Sequence, residues 1–449
     1  MRVLKLAPAI GLALGAQAFA AAHADDHMSS SGSETPFGGW YIGAEVAHSL
    51  ANNKLGVHSP EEGMVNFNGW GADGFSAGGF IGYDHLLDNG FLIGGQIGAS
   101  VSDISSQILV SLPGPEGEFF EGELKTDWFA TASARAGYLT NPETLLFGSL
   151  GVTVAHGVGS YHYMDPEARI DESDSEREFF YGVAFGTVGV ETVLSGNVRG
   201  RFEYVASYLN TQTFNFEEAA LDVTPIIGSA KVSLIYGFGE PSRVPHSYAH
   251  APASWTGFFG GVKAGHDMAN TDLSVMEEGG QFAFDGFGAH GVMAGAFVGY
   301  NQQIGEKIVV GVEVGASATT LKHEIDFGTG GPEGFIRVGA ETSINARLRG
   351  GVLVNPSTLI YGYGGVAQNR LFIEADFEGD IGETVDIDVV EFGGGVETFV
   401  SDRVSVRGEY GISIGENLFS AIGETPVPGD SVSLKPMGAT GSVSAVVHF

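Results

Sequence analysis

The strongest constraint on this chain is that it is written twice. Arg201-Phe202-Glu203-Tyr204 returns as Arg407-Gly408-Glu409-Tyr410, and Glu191-Thr192 returns as Glu397-Thr398, both at an offset of 206. Alternate side chains of a strand face opposite sides. Arg and Glu therefore share one face, while Phe202/Tyr204 and Gly408/Tyr410 take the other. A strand with one charged and one lipid-like face suits a transmembrane barrel whose lumen lies on the charged side.

The doubling runs along the chain. Trp40 to His48 alternates, with Ile42, Ala44 and Val46 on one face and Gly43 and Glu45 on the other; it returns as Phe258 to His266 at an offset of 218, with Lys263 in the place of Glu45. Phe75 to Tyr83 returns as Val292 to Tyr300. The strand of Ile93, Ile97 and Ala99 returns as Val310, Val312, Val314 and Ala316, so Gln96 corresponds to Glu313. A fourth strand, about Asp127 to Leu139, turns Thr131, Ser133 and Arg135 inward, and its partner carries Asn345, Arg347 and Arg349. Both enter one turn type, Asn141-Pro142-Glu143-Thr144 and Asn355-Pro356-Ser357-Thr358; Pro is tolerated where no ladder donor is needed. Leu145 to Val154, Tyr181 to Val193, the Arg/Glu strand and Lys231 to Phe238 complete eight strands. Their counterparts run from Leu359 to Phe449.

Short turns alternate with long loops, the asymmetry of outer-membrane barrels. The expected division is a signal peptide over 1–24, a flexible leader over 25–36, a first eight-strand unit over 37–239, a Pro- and His-containing periplasmic linker over 240–254 and a second unit over 255–449. The signal reading rests on Arg2 and Lys5, the apolar run Leu6 to Ala20, and small-x-small sites ending at Ala20 and Ala24. The fold class is all-β: two tandem antiparallel up-and-down barrels of eight strands, with one sixteen-stranded barrel as the alternative. Alternation is the same in both. Eight strands leave a lumen that side chains fill; sixteen leave an aqueous channel.

Composition narrows the function. Gly (70), Phe (31) and Tyr (14) are abundant, as in all-β chains. Cys is absent, which removes disulfides and thiolate chemistry. A formal charge of −33 excludes nucleic acid as a partner, because phosphates require a basic surface.

Ser254-Trp255-Thr256-Gly257-Phe258-Phe259-Gly260-Gly261, Thr358 to Ala367 and Phe392-Gly393-Gly394-Gly395-Val396-Glu397 resemble the small Gram-negative outer-membrane β-barrels known as porin-like surface antigens, within the OmpA/OmpX-like superfamily. Phe147-Gly148-Ser149-Leu150-Gly151-Val152 resembles them more loosely. Members are typically single barrels, so a tandem copy departs from the pattern. The resemblance implies an integral outer-membrane protein with periplasmic termini and extracellular long loops. Val443, Ala445, Val447 and Phe449 share one face and resemble the C-terminal signal read by the barrel-assembly machinery.

The inward charges form the most informative constellation: Glu45, Arg135, Glu191, Arg201 and Glu203 in the first half, and Lys263, Glu313, Arg349, Glu397, Arg407 and Glu409 in the second. In a filled lumen such charges must pair, since an isolated buried charge costs several kcal/mol; this favours a plug over a selectivity lining. One loop is crowded by Asp165, Glu167, Asp171, Glu172, Asp174, Glu176 and Glu178, and its counterpart by Glu374, Asp376, Glu378, Asp380, Glu383, Asp386 and Asp388. No fixed ligand spacing appears there, so weak divalent-cation contact is the most these loops support. His48 and His266 read as rim residues without a metal. The expected role is structural and surface-interactive, with lipopolysaccharide as lipid partner, no cofactor and no catalysis. A passive porin lined by Arg and Glu is the alternative.

Overall fold

The structure is a computed structural model. It describes residues 33–59, 63–111, 118–165, 170–215, 220–244, 254–277, 280–328, 334–376, 380–416 and 431–449. Strands make up almost all of it: β1 (Ser33–Thr35), β2 (Gly39–Ser59), β3 (Gly63–Leu86), β4 (Phe91–Ser111), β5 (Phe119–Asn141), β6 (Thr144–Asp165), β7 (Ile170–Ser195), β8 (Val198–Leu209), β9 (Gln212–Asn215), β10 (Ala220–Gly237) and β11 (Ser242–Val244) in the first half. The second half holds β12 (Gly257–Glu277), β13 (Gly280–Ile304), β14 (Ile308–Thr319), β15 (Lys322–Gly328), β16 (Gly334–Asn355), β17 (Thr358–Asp376), β18 (Asp380–Phe399), β19 (Val404–Gly415) and β20 (Ser431–His448). No described helix is long and apolar enough to cross a membrane.

Antiparallel pairs join a ring of sixteen strands in the order β2–β3–β15–β16–β17–β18–β19–β20–β12–β13–β4–β5–β6–β7–β8–β10 and back to β2. Two ladders and two single bridges, His290/Lys322 and Phe287/Trp70, cut across it. β3 pairs with β4 from Asp73/Ser105 to Leu86/Leu92, and β13 with β14 from Met293/Thr319 to Ile304/Ile308. Both lie nearer the short turns. Toward the loops the partners change: β3 pairs with β15 from Asn68/Glu324 to Met64/Gly328, and β4 with β13 from Ile108/Phe284 to Ser111/Gln281.

The exchange needs two backbones in contact, and glycine supplies it. A Cβ on Gly288 would lie 2.7 Å from the Gly71 backbone, and one on Gly71 would lie 2.9 Å from the Gly288 Cα. Neither backbone can move aside without breaking its own ladder. Asn52 and Asn270, buried beside them, occupy matching positions in the two halves.

The strands run well past the alternating segments legible in the sequence. β2 continues to Ser59, and β7 begins at Ile170, so Asp171 to Glu178 sit on a strand rather than in a loop. Within the shorter segments the outward face is apolar and exposed, as at Ile42, Val46, Ile97, Val152, Val262, Val298, Val312 and Leu348. Near the turns it ends in aromatic pairs: Trp40–Tyr83, Phe91–Tyr138 and Phe258–Tyr300, with ring centroids 5.3, 5.0 and 5.0 Å apart. Such a girdle marks a membrane boundary.

Two expectations are corrected. The leader is not flexible as far as Pro36: β1 pairs with β11, Thr35 Oγ1 donates to the Pro142 carbonyl at 2.6 Å, and Phe37 is fully buried. The same pairing draws Ser242–Val244 of the linker into structure. Residues 1–32 and 245–253, which carry the rest of those expectations, lie outside the described residues.

His48 and His266 are not rim residues either. Each faces out of its own half and is covered by the other. His48 Nδ1 hydrogen-bonds the Tyr410 hydroxyl at 2.6 Å, and His266 Nδ1 the Tyr204 hydroxyl at 2.8 Å. The motif tyrosines, expected on a lipid-facing surface, form this reciprocal clasp, and Met268, Ala439 and Leu50 pack beside them. Near the turns Thr144 Oγ1 lies 3.0 Å from Thr358 Oγ1, and Asn355 Nδ2 donates to Thr144 Oγ1 at 3.0 Å. Tyr204→Phe strands the buried His266 ring and is expected to cost about 1–3 kcal/mol. The urea midpoint of refolded protein measures it, with Tyr181→Phe, on an exposed side chain, as a control within about 0.5 kcal/mol.

Candidate functional site: two Arg–Glu belts across the lumen

Strand alternation points Arg135, Arg199 and Arg201 into the first half's interior, where one carboxylate gathers them. Glu191 Oε2 accepts from Arg135 Nη1 at 2.7 Å and from Arg201 Nε at 2.9 Å, and its Oε1 lies 3.1 Å from Arg199 Nη1. Arg135 also donates to both oxygens of Asp84, and Arg201 Nη1 donates to Gln96 Oε1 at 2.7 Å. The belt is repeated in the second half. Glu397 Oε2 accepts from Arg349 Nη2 at 2.8 Å and from Arg407 Nε at 3.1 Å. Arg407 Nη1 donates to Glu313 Oε2 at 2.7 Å, in the place of the Arg201–Gln96 bond. Arg347 Nε donates to Glu313 Oε1 at 2.8 Å.

These groups are sealed from water: Glu191, Glu397 and Arg407 are 0% exposed and Arg199 1%. Rings fill the gaps between guanidinium planes. Arg135 lies over Tyr41 and Phe147, Arg349 over Tyr361, and Arg407 over Phe297, at 4.9, 5.1, 4.0 and 4.6 Å from the ring centroids. Toward the turns Phe37 packs with Leu92, Leu139, Leu145 and Phe147, and Trp255 with Val309, Leu353, Leu359 and Phe399. Trp255 stands 218 positions after Phe37, the offset of the first strands, and anchors its indole on the Pro356 carbonyl at 3.0 Å. A planar fork matched to a carboxylate, backed by an aromatic face, suits a dry interior.

Glu45 and Glu203 stand apart from the belts, whereas Glu409 adjoins the second through Arg347 and Arg407. Glu45 pairs with Lys231 at 3.1 Å. Glu203 accepts from Ser149 Oγ at 2.5 Å, and Glu409 from the Tyr361 hydroxyl at 2.6 Å with Arg347 3.6 Å away. Lys263 makes no ion pair among the described residues, against the expectation that every inward charge does. Asp84, Arg199 and Lys231 escaped the sequence reading, although each shares its neighbours' inward parity. Val443 is half-buried, while Ala445 and Val447 on the outward face of β20 and Phe449 just beyond its end are exposed.

Ser405, His448 and Glu397 meet at the turn end, but both polar contacts of the histidine use Nε2, at 2.9 Å to Ser405 Oγ and 3.1 Å to Glu397 Oε1. A relay needs opposite ring nitrogens, so this trio lacks that geometry. Among the described residues no group of three His, Asp or Glu is placed to hold a metal. Of the acidic residues, Asp171 pairs with His162 at 2.9 Å and Asp386 with Arg370 at 3.1 Å. Glu167 and Glu378, and the side chains of Asp165 and Asp380, lie outside the described set.

Residues 246–443 match the family described as Outer membrane protein beta-barrel domain. The match spans the second half of the chain, and the described strands close into a barrel. The barrel is similar to the 31 kDa outer-membrane immunogenic protein of Brucella melitensis, at 24% identity over 200 residues, covering 44% of this chain and 79% of that protein. Among solved structures it is similar to Neisserial surface protein A (16% identity, TM-score 0.24, 43% of this chain and 98% of that one). It is also similar to the Pseudomonas putida toluene transporter TodX (11% identity, TM-score 0.24, 92% of this chain and 90% of that one).

Proposed function

We propose that this protein is a closed outer-membrane scaffold that presents acidic loop-end strands at the cell surface, and not a diffusion channel. The observation that carries the reading is the dry Arg–Glu belt, built twice from corresponding residues and backed by aromatic rings. A solute pore needs continuous water; a belt with side chains 0–2% exposed offers none.

In this reading the membrane-embedded part is two eight-stranded barrels, over 37–239 and 255–449, that share one rim. Support comes from β2 pairing with β10 along Tyr41–His58, from β12 pairing with β20 along Phe259–Met276, and from the β3–β4 and β13–β14 pairings between them. Turns and termini face the periplasm, the acidic ends of β6, β7, β17 and β18 face outward toward lipopolysaccharide, and the outward side chains of β20 serve the assembly machinery. The porin alternative draws on the sixteen-strand ring.

Planar-bilayer recording of refolded full-length protein separates the two. The expected result is no stable conductance step; a large steady pore overturns the closed reading. The chain has no native Cys, so Asp174→Cys gives a clean label site. In intact cells a membrane-impermeant maleimide is expected to modify it, and labelling only after cell rupture reverses the orientation.

A further inference from the structure

The two lumens differ above the belts. In the first half the space toward the loops is filled by Ile104, Phe180, Leu209, Phe214, Val223 and Ile227, leaving about 20 Å³. In the second half the corresponding space is a polar chamber of about 120 Å³, floored by Arg347, Glu409 and Tyr363. An apolar cavity of about 150 Å³ accommodates benzene, so this one has room for a molecule of a few heavy atoms.

Sequence divergence between the halves created its charges. Lys263 replaces Glu45, Ser442 replaces the Lys231 that neutralises Glu45, and Glu391, paired with Gly365 and Ser413, stands where the first half has Ala184 paired with Gly151 and Ser207. Of the five charged groups lining the chamber, three are committed. Arg347 and Glu409 are bound within the belt, and Asp267 accepts from Thr440 Oγ1 at 2.7 Å. Lys263 and Glu391 remain. Neither forms an ion pair among the described residues, and Glu391 receives one bond, from Asn345 Nδ2 at 3.0 Å. One cation and one anion, within electrostatic reach of each other but not in ion-pair contact, face a common space whose walls carry hydroxyls of Ser317, Thr319 and Ser413.

We propose that this chamber binds a small zwitterion of α-amino-acid type, its carboxylate on Lys263 and its ammonium on Glu391. Neither a simple anion nor a simple cation answers both side chains, and each alone leaves an opposite charge unmet in a confined site. A zwitterion of glycine size satisfies both without net charge.

The test is titration calorimetry of the refolded full-length protein with glycine, acetate and methylammonium. Glycine is expected to bind at one site per chain, with acetate and methylammonium each weaker by about tenfold or more, a loss of about 1.4 kcal/mol. Lys263→Met and Glu391→Gln are each expected to weaken glycine by about tenfold or more. Lys263→Arg keeps the charge and retains binding, and Lys231→Met in the first half leaves it unchanged. Circular dichroism certifies that each variant is folded before titration. Absence of saturable glycine heat, acetate binding as tight as glycine, or wild-type affinity in folded Lys263→Met or Glu391→Gln overturns the assignment; a water-filled chamber gives the first of these.

Discussion

Arg407→Met is expected to destabilise the refolded protein by about 3–5 kcal/mol, the usual cost of removing one partner from a buried charge pair. The guanidinium it removes bonds Glu397 and Glu313 together, at 3.1 and 2.7 Å. Its loss leaves Glu397 with Arg349 and Glu313 with Arg347, in a space from which water is excluded. Methionine fills part of the volume and offers no donor. Adding Glu397→Gln to Arg407→Met is expected to deepen the loss, because the buried Arg349 then loses the carboxylate it pairs with. The midpoint of urea unfolding in detergent, followed by circular dichroism, reads both variants. If the single variant matches wild type, the belt contributes little to holding the second lumen together. The equivalent first-half variant, Arg201→Met, leaves Glu191 with Arg135 and Arg199. It is expected to be milder, because the partner it also releases, Gln96, is neutral.

The second large effect concerns the strand exchange. Gly71→Val forces a branched side chain against the Gly288 backbone, where even a single Cβ lies 2.9 Å from the Gly288 Cα. Overpacking typically costs about 1–3 kcal/mol when side chains can yield; here the added carbon meets both the buried Asn270 amide and the Gly288 main chain, so the cost falls on the pairing itself. The expected outcome is loss of the β3–β15 and β4–β13 ladders with the turn-end pairings intact. Cysteine pairs provide the readout. Asn66 and Asp326 are register partners across the exchange, close enough for a disulfide, and there is no native thiol to interfere. Asn66→Cys/Asp326→Cys is expected to oxidise readily in the otherwise natural protein and poorly when Gly71→Val is added. Equal oxidation in both would show that the exchange does not depend on glycine contact.

Much of the barrel was legible because one rule, alternation, links sequence to wall and lumen. The rule located both Arg–Glu–Arg belts through the matching positions of Glu191 and Glu397. It did not find Asp84 or Arg199, each lying at the margin of a recognisable alternating run, or Lys231, whose counterpart Ser442 carries no charge and so gave no repeat signal. The clasp between halves was hidden for a different reason. Tyr204 and Tyr410 do face outward, as alternation requires, and whether an outward residue meets lipid or protein is decided by tertiary placement. Their recurrence with His48 and His266 was the available clue. The partner exchange was out of reach, because it joins segments far apart in the chain through glycines that read as ordinary strand residues. The upper strand ends were missed because beyond the apolar band neither face is obliged to be hydrophobic, and the period fades.

The exchanged strands also bear on how such a chain can be put together. β3 and β4 are made early, yet the loop-end half of each finds its final partner only when β15 and β13 have appeared. The first half can therefore finish its turn-end wall but must hold its rim unpaired until much of the second half has been delivered. Distant pairing of this sort is paid in loop-closure entropy before any contact rewards it, and unpaired edges are adhesive in the interval. Assembly of the two halves is on this account a single coupled event, in which delay of the second exposes the first. Shortening the connection over 240–254 would then be felt first as slower insertion and more off-pathway association, and only afterwards as a less stable product.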